Sequence, residues 1–427
     1  MNEERRPFMT LGDAAPLALW ASLIAVAHVW GRQLVHEAPA TRIFFPPLVA
    51  RLAPSFGIGI LLSLIVAAAA VAFGPRVAAR LGWRPLLLVA FGAAIAWSVS
   101  LALIDGPEGL TRPLHFPNDY RQDVDLVGSP RDFLTHFADR IDRYHQHVRA
   151  HPPGMVLLLW GMDRVGLGGA GWEAALVVLG GACFVPAAMV ALNEAAGEAR
   201  ARAAAPFLAL APAAIWVAST ADALFAGVGA WAVALVVLAT GRRGSAAGAL
   251  AFGGGLLFGA GLFLSYGLAL LAAPALVVAV VRRRALPLLL AGTGAIAVAG
   301  LFALAGFWWP DGLLATVGEY REGVARLRPQ SYFLLGNLAA FAIALGPATA
   351  VGLRRLRDSG TWMLVAGGLL AVALADLSGL SKAEVERIWL PFLPWVILAT
   401  SPLSSRGWLA LNSAFAILVE IALNTTW

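Results

Sequence analysis

Long uncharged apolar runs recur along this chain and constrain its fold more than any other feature. Pro85–Ile104 and Ser55–Phe73 are two of these runs. A run of about 18 or more apolar residues can cross the hydrocarbon core of a bilayer as a helix. Because lipid offers no hydrogen-bond partner, a spanning backbone must be helical or a closed barrel, and runs of this length lack the alternation of barrel strands. The sequence therefore predicts an all-α, polytopic transmembrane helical bundle.

The positions of the runs predict about 11 to 13 transmembrane spans. Met155–Met162 is too short to cross a bilayer, so we predict that residues 152–168 form a surface helix that begins after two prolines. Residues 1–84 are predicted to form a cytoplasmic tail and an extra transmembrane hairpin, and 85–427 the main module with an outer loop at 105–150. The predicted spans lie near residues 14–31, 55–73, 85–104, 171–192, 203–220, 222–240, 247–265, 268–281, 285–307, 332–353, 361–377, 387–402 and 407–424.

The basic residues predict the orientation in the membrane. Although the formal net charge is +6, the arginines lie in short clusters between apolar runs, which is typical of membrane topology and not of nucleic-acid binding. With the N-terminus in the cytoplasm, successive inner loops carry such clusters. We therefore predict a multi-pass protein of the inner (cytoplasmic) membrane with no nucleic-acid partner. The inner clusters lie at residues 76–84, 200–202, 242–243, 282–284 and 354–357.

The predicted outer loop and the turn that follows it concentrate polar side chains. Asp119 and Asp123 are candidate catalytic bases, since carboxylates near a membrane surface can accept a proton or bind a metal. Histidine and arginine can hold phosphate oxygens. The alternative is an ordinary solvated loop. No histidine metal site is predicted, because no helical pair four residues apart has a third ligand at a familiar spacing; a divalent cation stays open. The candidate binding residues are Tyr120, Arg121, His145, His147, Arg149 and His151.

A second polar segment, residues 379–387, precedes an apolar run that contains two prolines. Lys382 is the only lysine of the chain, although arginine is otherwise its basic residue, which favours a role as a point charge on a phosphate. The alternative is that these charges simply end a helix at the membrane surface. Three further polar residues, Asp222, Tyr266 and Tyr320, fall on the same predicted face. Residues of these types can bind a sugar, but they can also cap a helix or belong to an interfacial aromatic belt. The candidates are Lys382, Glu384, Glu386, Arg387, Asp222, Tyr266 and Tyr320.

The order of these features resembles the GT-C superfamily of membrane glycosyltransferases that use polyprenyl-phosphate sugars. The resembling features are an acidic outer loop, His151-Pro152-Pro153-Gly154 before a surface helix, many spans, and a late outer Glu386-Arg387 before a span with prolines. The acidic loop follows the third predicted span, whereas in that family it usually follows the first. The alternative first loop is 33–54, which has a single acid, Glu37.

The resemblance implies a function and a role for each group of candidates. A sugar would pass from a polyprenyl-phosphate donor to an envelope glycan, lipid or protein acceptor on the outer face of the membrane. Asp119 or Asp123 would be the base, with Asp119 slightly favoured, while Lys382 and Arg387 would bind the lipid phosphate. The donor or acceptor pocket would be lined by His145, His147, Arg149 and His151.

Two other classes fit a multi-span chain. A transporter or lipid flippase would need paired charges at the centre of the membrane. An O-antigen-type polymerase or ligase would use a diphosphate-linked donor and would lack the surface helix after the two prolines. Both classes stay open as alternatives to the glycosyltransferase.

Overall fold

The computed structural model describes residues 9–111, 115–218, 220–403 and 406–425. The predicted cytoplasmic tail, residues 1–7, lies outside the described residues. In chain order the first helices are α1 (Leu11–Glu37), α2 (Gly59–Arg80), α3 (Trp83–Ala102), α4 (Pro130–Thr135), α5 (Gln146–Arg149), α6 (Gly154–Arg164), α7 (Ala170–Ala182), α8 (Phe184–Ala196), α9 (Glu198–Ala209) and α10 (Ala221–Thr240). They are followed by α11 (Gly244–Leu262), α12 (Ala272–Val281), α13 (Ala285–Leu304), α14 (Trp309–Glu322), α15 (Gln330–Leu345), α16 (Pro347–Arg355), α17 (Ser359–Ser378), α18 (Val385–Ile388), α19 (Leu393–Ile397) and α20 (Arg406–Ala422).

Eight helices within the described residues are long and apolar enough to cross a membrane, or up to nine if one bent pair counts as a span. The predicted polytopic helical bundle is thereby confirmed. These candidate spans are α1, α2, α3 with the 3-10 turn that follows it, α7 joined to α8, α10, α11, α13 and α17.

The other predicted spans are short or broken, and proline or glycine stands at most of the breaks. Helix α9 ends at Ala209 and gives way to a 3-10 turn at Pro212–Trp216. Helices α15 and α16 meet at 92° across Gly346, whose φ of 77° no ordinary helical residue adopts. Residues 390–400 form short α and 3-10 segments around Pro391 and Pro394, as the missing N–H groups of two prolines favour.

The arginine side chains of the clusters predicted to be cytoplasmic contact residues at the ends of other helices. Arg355 Nε donates to Asp13 near the start of α1 at 2.9 Å. Arg202 donates to the carbonyl oxygen of Leu81 at 2.8 Å. Arg242 and Arg282 both reach Glu194, at 3.2 and 3.3 Å. Each of these contacts joins segments that the basic-residue rule assigns to the same face; that this face is cytoplasmic stays a prediction.

The N-terminal region of the described chain contacts its C-terminal region. The strand β1 (Ala50–Leu52) pairs antiparallel with β2 (Leu423–Thr425). In addition, α1 packs against α15 and α16, and α2 packs against α3 and α20. The N-terminal hairpin therefore lies against the C-terminal half of the bundle. The division of the chain at residue 84 stays a prediction.

Candidate functional site

The loop after α3, which is predicted to be the outer loop, folds into short helical turns, and two of its acids, Asp119 and Asp123, are buried. Asp119 stands just before a 3-10 segment, Tyr120–Leu126, and its Oδ1 accepts a hydrogen bond from the Tyr120 backbone N at 2.6 Å. The residue is buried, with 6% relative exposure. The other carboxylate oxygen, Oδ2, lies 3.1 Å from His147 Nδ1. The loop therefore holds an acid and a histidine in direct contact.

Asp123 has a different environment. Its carboxylate is fully buried, and its two oxygens lie 2.7 Å from the backbone N and from the Nδ1 of His145. His145 immediately precedes α5, so Asp123 clamps the start of that helix. Because the Asp123 side chain is fully buried whereas that of Asp119 keeps 9% exposure, Asp119 is the better placed of the two for proton transfer.

His147 links the outer loop to the second polar segment, residues 379–387, which is called the late segment below. Its Nε2 lies 3.3 Å from Nη2 of Arg387, 240 residues further along the chain. Arg387 is 4% exposed and belongs to α18. Its Nη1 donates to Asp222 Oδ2 at 2.7 Å, and its Nη2 donates to Glu384 Oε2 at 2.6 Å. One guanidinium therefore joins three parts of the chain that are far apart in sequence.

Asp222 occupies the first turn of α10, where a carboxylate is favoured by the helix dipole. Its carboxylate also forms an ion pair with Arg387, so the interpretation as a simple helix cap is incomplete. Burial alone would raise the pKa of the Glu384 carboxyl, but the charges of Arg387 and Arg328 outweigh it and lower that pKa. Glu384 is thus held as a carboxylate beside the two arginines.

The backbone of residues 381–384 is fixed from several sides. Ala383 and Glu384 have φ values of 71° and 62°, a left-handed conformation that costs about 1–2 kcal/mol for a residue with a Cβ. The Asn337 side chain donates to Ser381 O at 2.7 Å and accepts from Ala383 N at 3.1 Å. These bonds stabilise an unfavourable backbone turn that places the Glu384 side chain beside Arg387. Strained backbone of this kind persists only where the surrounding contacts compensate for its cost.

Lys382 lies in the middle of this turn. Its backbone N donates to the Tyr320 hydroxyl at 2.8 Å, and its carbonyl accepts from Arg328 Nη1 at 2.6 Å. The residue is half-buried, and its ammonium donates to the carbonyl of Ala325 at 3.4 Å. Burial, which outweighs the opposing bond from Lys382, raises the pKa of Tyr320 to about 12, so the hydroxyl stays protonated. Tyr320 therefore supports the turn of residues 381–384, which is called the lysine turn below.

The turn around His151 and the two prolines is explained by packing. The backbone N of Gly154 donates to the carbonyl of Phe263 at 2.8 Å, and a Cβ at Gly154 would stand 2.2 Å from that oxygen. Only glycine permits this approach. Helix α6 then follows, at the position of the predicted surface helix. The ring of His151 packs 5.5 Å from that of Tyr120 and 5.9 Å from that of Phe225.

Stability should depend on pH through His151. Burial, the largest influence, lowers the pKa of its imidazole from 6.5 to about 4. Between these values the unfolded chain binds a proton that the folded chain does not, so stability falls as the pH drops from about 6.5 towards 4, by up to roughly 3 kcal/mol. We expect His151→Asn, which keeps a donor for the His147 carbonyl, to flatten this slope in a melting series. His36→Asn, at an exposed position, should leave the slope unchanged; an unchanged slope in His151→Asn would contradict the assignment.

The remaining candidates lie in other clusters. Arg121 pairs with Asp163 at 2.8 Å and with Glu173 at 3.1 Å, while Arg149 pairs with Glu319 at 3.2 Å. The ring of Tyr266 packs 5.3 Å from that of Trp309. Glu386, next to Arg387, is fully buried.

Two positioning residues, Arg328 and Asn337, were not among the predicted site residues. Arg328 contacts Glu384 at 3.9 Å as well as the carbonyls of Lys382 and Thr41. In the sequence, Asn337 could have been recognised as a candidate because it is a polar amide inside an apolar run.

A cleft of about 390 Å³ lies between the outer loop and the start of α14, and none of the predicted site residues lines it. Among the described residues, no three His, Cys, Asp or Glu side chains are arranged to hold a metal ion.

No family model matches this chain, and no curated protein sequence matches it. Among solved structures, it is similar to the crystal structure of the Archaeoglobus fulgidus oligosaccharyltransferase in complex with zinc and sulfate. The TM-score is 0.35 and the sequence identity 15%; the match covers 80% of this chain and 52% of that one, so the chain spans about half the length of the similar protein. A likeness at that score does not define a shared fold, and the function has to be proposed from the site itself.

Proposed function

We propose that the chain transfers a sugar from a polyprenyl-phosphate carrier to a hydroxyl of an envelope glycan, lipid or protein, at the outer face of the cytoplasmic membrane. The observation that supports this proposal most is the 3.3 Å contact between His147 and Arg387. It connects the loop that carries Asp119 with the polar segment, residues 379–387, that carries Lys382. Transfer from a phosphate-linked sugar requires a base for the acceptor hydroxyl and a cation for the leaving phosphate.

In the proposed reaction, the acceptor hydroxyl gives its proton to the carboxylate of Asp119 as its oxygen attacks the anomeric carbon. The bond between that carbon and the phosphate oxygen breaks, and the lipid phosphate leaves with the electron pair. The ammonium of Lys382 stabilises the charge of the leaving phosphate, an effect that is strong where water is excluded. A general base contributes typically about 10²–10⁴-fold to such a step.

The positions of the membrane acids favour this proposal over transport. In the eight candidate spans, each Asp or Glu lies within about one turn of a helix end. Asp13, Asp222 and Asp376 are examples. Coupled transport would instead place paired charges near the membrane centre.

Binding of decaprenyl phosphate tests the donor class. We expect this lipid to raise the melting temperature of the protein purified in detergent, because its phosphate would meet Lys382. Decaprenol, which has the same chain without the phosphate, should stabilise less. Lys382→Ala should lose the difference between the two lipids, whereas Arg131→Ala, an exposed cation of the same outer loop, should keep it.

The outcomes separate the functional classes. A phosphate-dependent shift that disappears in Lys382→Ala supports a lipid-phosphate site and justifies a screen of decaprenyl-phosphate mannose, glucose and arabinose as donors. If decaprenyl phosphate and decaprenol act alike, the protein recognises a lipid chain only. That result would remove the proposed donor and favour transport.

A further inference from the structure

Arg387 is placed to act on His147, and the direction of their hydrogen bond fixes the state of the histidine. A guanidinium carries only donors and is not deprotonated in proteins. Arg387 Nη2, 3.3 Å from His147 Nε2, must therefore donate, and Nε2 must accept. The proton of the neutral imidazole then resides on Nδ1, which faces Asp119 Oδ2 at 3.1 Å. The assignment follows from the hydrogen-bond network.

The orientation of the Arg387 guanidinium is fixed by its burial and by its hydrogen bonds. It is 4% exposed, and both terminal nitrogens donate to carboxylates, at 2.7 Å to Asp222 and 2.6 Å to Glu384. These two acids come from different segments and set the plane of the guanidinium. An incoming phosphate would have to approach a buried guanidinium whose charge two carboxylates already neutralise, and those carboxylates would repel it.

We propose that Arg387 is a positioning residue which holds His147 in its Nδ1–H tautomer and, through it, orients Asp119, and that it is not a ligand of the lipid phosphate. This inference deepens the proposed function and rests on it for the role of Asp119 as the base. The tautomer itself does not depend on that function. The phosphate contact then belongs to Lys382, whose ammonium is the more accessible cation of the same turn.

The arrangement leaves Asp119 with one defined task. Its Oδ1 is held by the Tyr120 backbone N at 2.6 Å, and its Oδ2 receives the Nδ1–H of His147. The carboxylate is thereby fixed in orientation, and its remaining lone pairs can take the proton of an acceptor hydroxyl. His147 cannot relay a proton to Arg387, since its Nε2 faces a donor that accepts none.

Nitrogen NMR of histidine tests the tautomer without any substrate. The protein would be labelled with ¹⁵N in its imidazoles and studied in detergent micelles, with His147→Asn used to assign the signals of that residue. We expect a protonated Nδ1 and an unprotonated Nε2 in the wild type, and a loss of this bias in Arg387→Gln, whose amide can accept as well as donate. Since Arg387→Gln can misfold, its combination with Asp222→Asn, which also removes one of the two carboxylate charges that the guanidinium holds, is the second variant. A proton on Nε2 in the wild type, or an unchanged tautomer in both variants, would overturn the inference.

Binding then separates a positioning role from phosphate binding. We expect Arg387→Lys to retain the stabilisation by decaprenyl phosphate that Lys382→Ala loses. If Arg387→Lys loses it as well while its melting temperature without lipid is normal, Arg387 is a phosphate ligand and the inference is wrong. If the wild type does not respond to decaprenyl phosphate, the proposed function fails while the tautomer result still stands or falls by itself.

A pair of histidine variants gives a readout that a merely structural role would not produce. Asparagine can present its amide N–H near the position of Nδ1, whereas glutamine reaches towards the position of Nε2. His147→Asn should therefore keep the bond to Asp119 and lose at most about tenfold in turnover, while His147→Gln should lose about 10²-fold or more. Equal losses in the two variants would contradict orientation of Asp119 through Nδ1.

Discussion

Replacement of Asp119 by asparagine should lower sugar transfer by about 10²–10⁴-fold while the fold and the binding of decaprenyl phosphate persist. Asparagine has nearly the same shape and can still accept from the Tyr120 backbone, but its amide cannot take a proton from an acceptor hydroxyl. The rate would be measured with the decaprenyl-phosphate sugar that the donor screen identifies. The melting temperature with and without decaprenyl phosphate would be measured on the same sample.

Two neighbouring acids supply matched controls for this prediction. Asp125 is exposed, and Asp125→Asn should behave as the wild type. Asp123→Asn should instead lower the melting temperature, since it disturbs a buried clamp at His145. If Asp119→Asn is fully active and Asp123→Asn folds normally yet is inactive, the assignment of the base must be reversed. If both variants are active, neither acid is the base.

Apolar runs predict helices well in this chain but do not predict where a helix breaks. The runs that became α3, α10 and α13 carry no internal charge, and hydropathy locates them within about three residues, whereas α2 continues seven residues beyond its predicted end. The run at 332–353 contains Gly346-Pro347, and the chain turns by 92° there. Hydropathy averages composition over a window, whereas a break depends on the φ of one glycine or on the missing N–H of one proline. The break could be read only from the residue types at that point.

The meeting of the loop at 105–150 with the polar segment 379–387 was expected from the predicted topology, which places both on one face, and from the resemblance, but not from residue spacing. Residue types did suggest the participants, because a carboxylate, a histidine and an arginine stand out in a chain with 13% charged residues. Their roles could not be predicted in this way. Asp119 and Asp123 look alike in the sequence, and only the burial and the partners of each carboxylate distinguish the proposed base from the acid that holds His145.

The supporting residues were the hardest part of the site to foresee. Asn337 and Arg328 act on backbone atoms of residues 381–384, and a bond to a backbone atom leaves no pattern in side-chain chemistry. The left-handed Ala383 and Glu384 give no signal either, since glycine would be the usual residue at such positions. A site whose geometry depends on strained backbone can therefore be located from a sequence but not described from it.

Loss of the Arg387 side chain should be among the most destabilising changes in this chain. Arg387→Ala leaves the buried carboxylates of Asp222 and Glu384 without their shared partner, and removal of one member of a buried ion pair costs about 3–5 kcal/mol. Unfolding can be followed by a thiol-reactive dye, because the partly buried Cys183 is the only thiol in the chain. We expect a large drop in melting temperature in this assay.

The cause of that drop can be separated from simple loss of packing. In Arg387→Ala combined with Asp222→Asn, one of the two stranded charges is gone, so the double variant should melt above Arg387→Ala alone. Arg140→Ala, which breaks an exposed pair with Asp132, should change the melting temperature little. A double variant that melts below the single one would mean that Asp222 stabilises the fold independently of Arg387. The guanidinium would then not be the centre that joins the outer loop, α10 and the lysine turn.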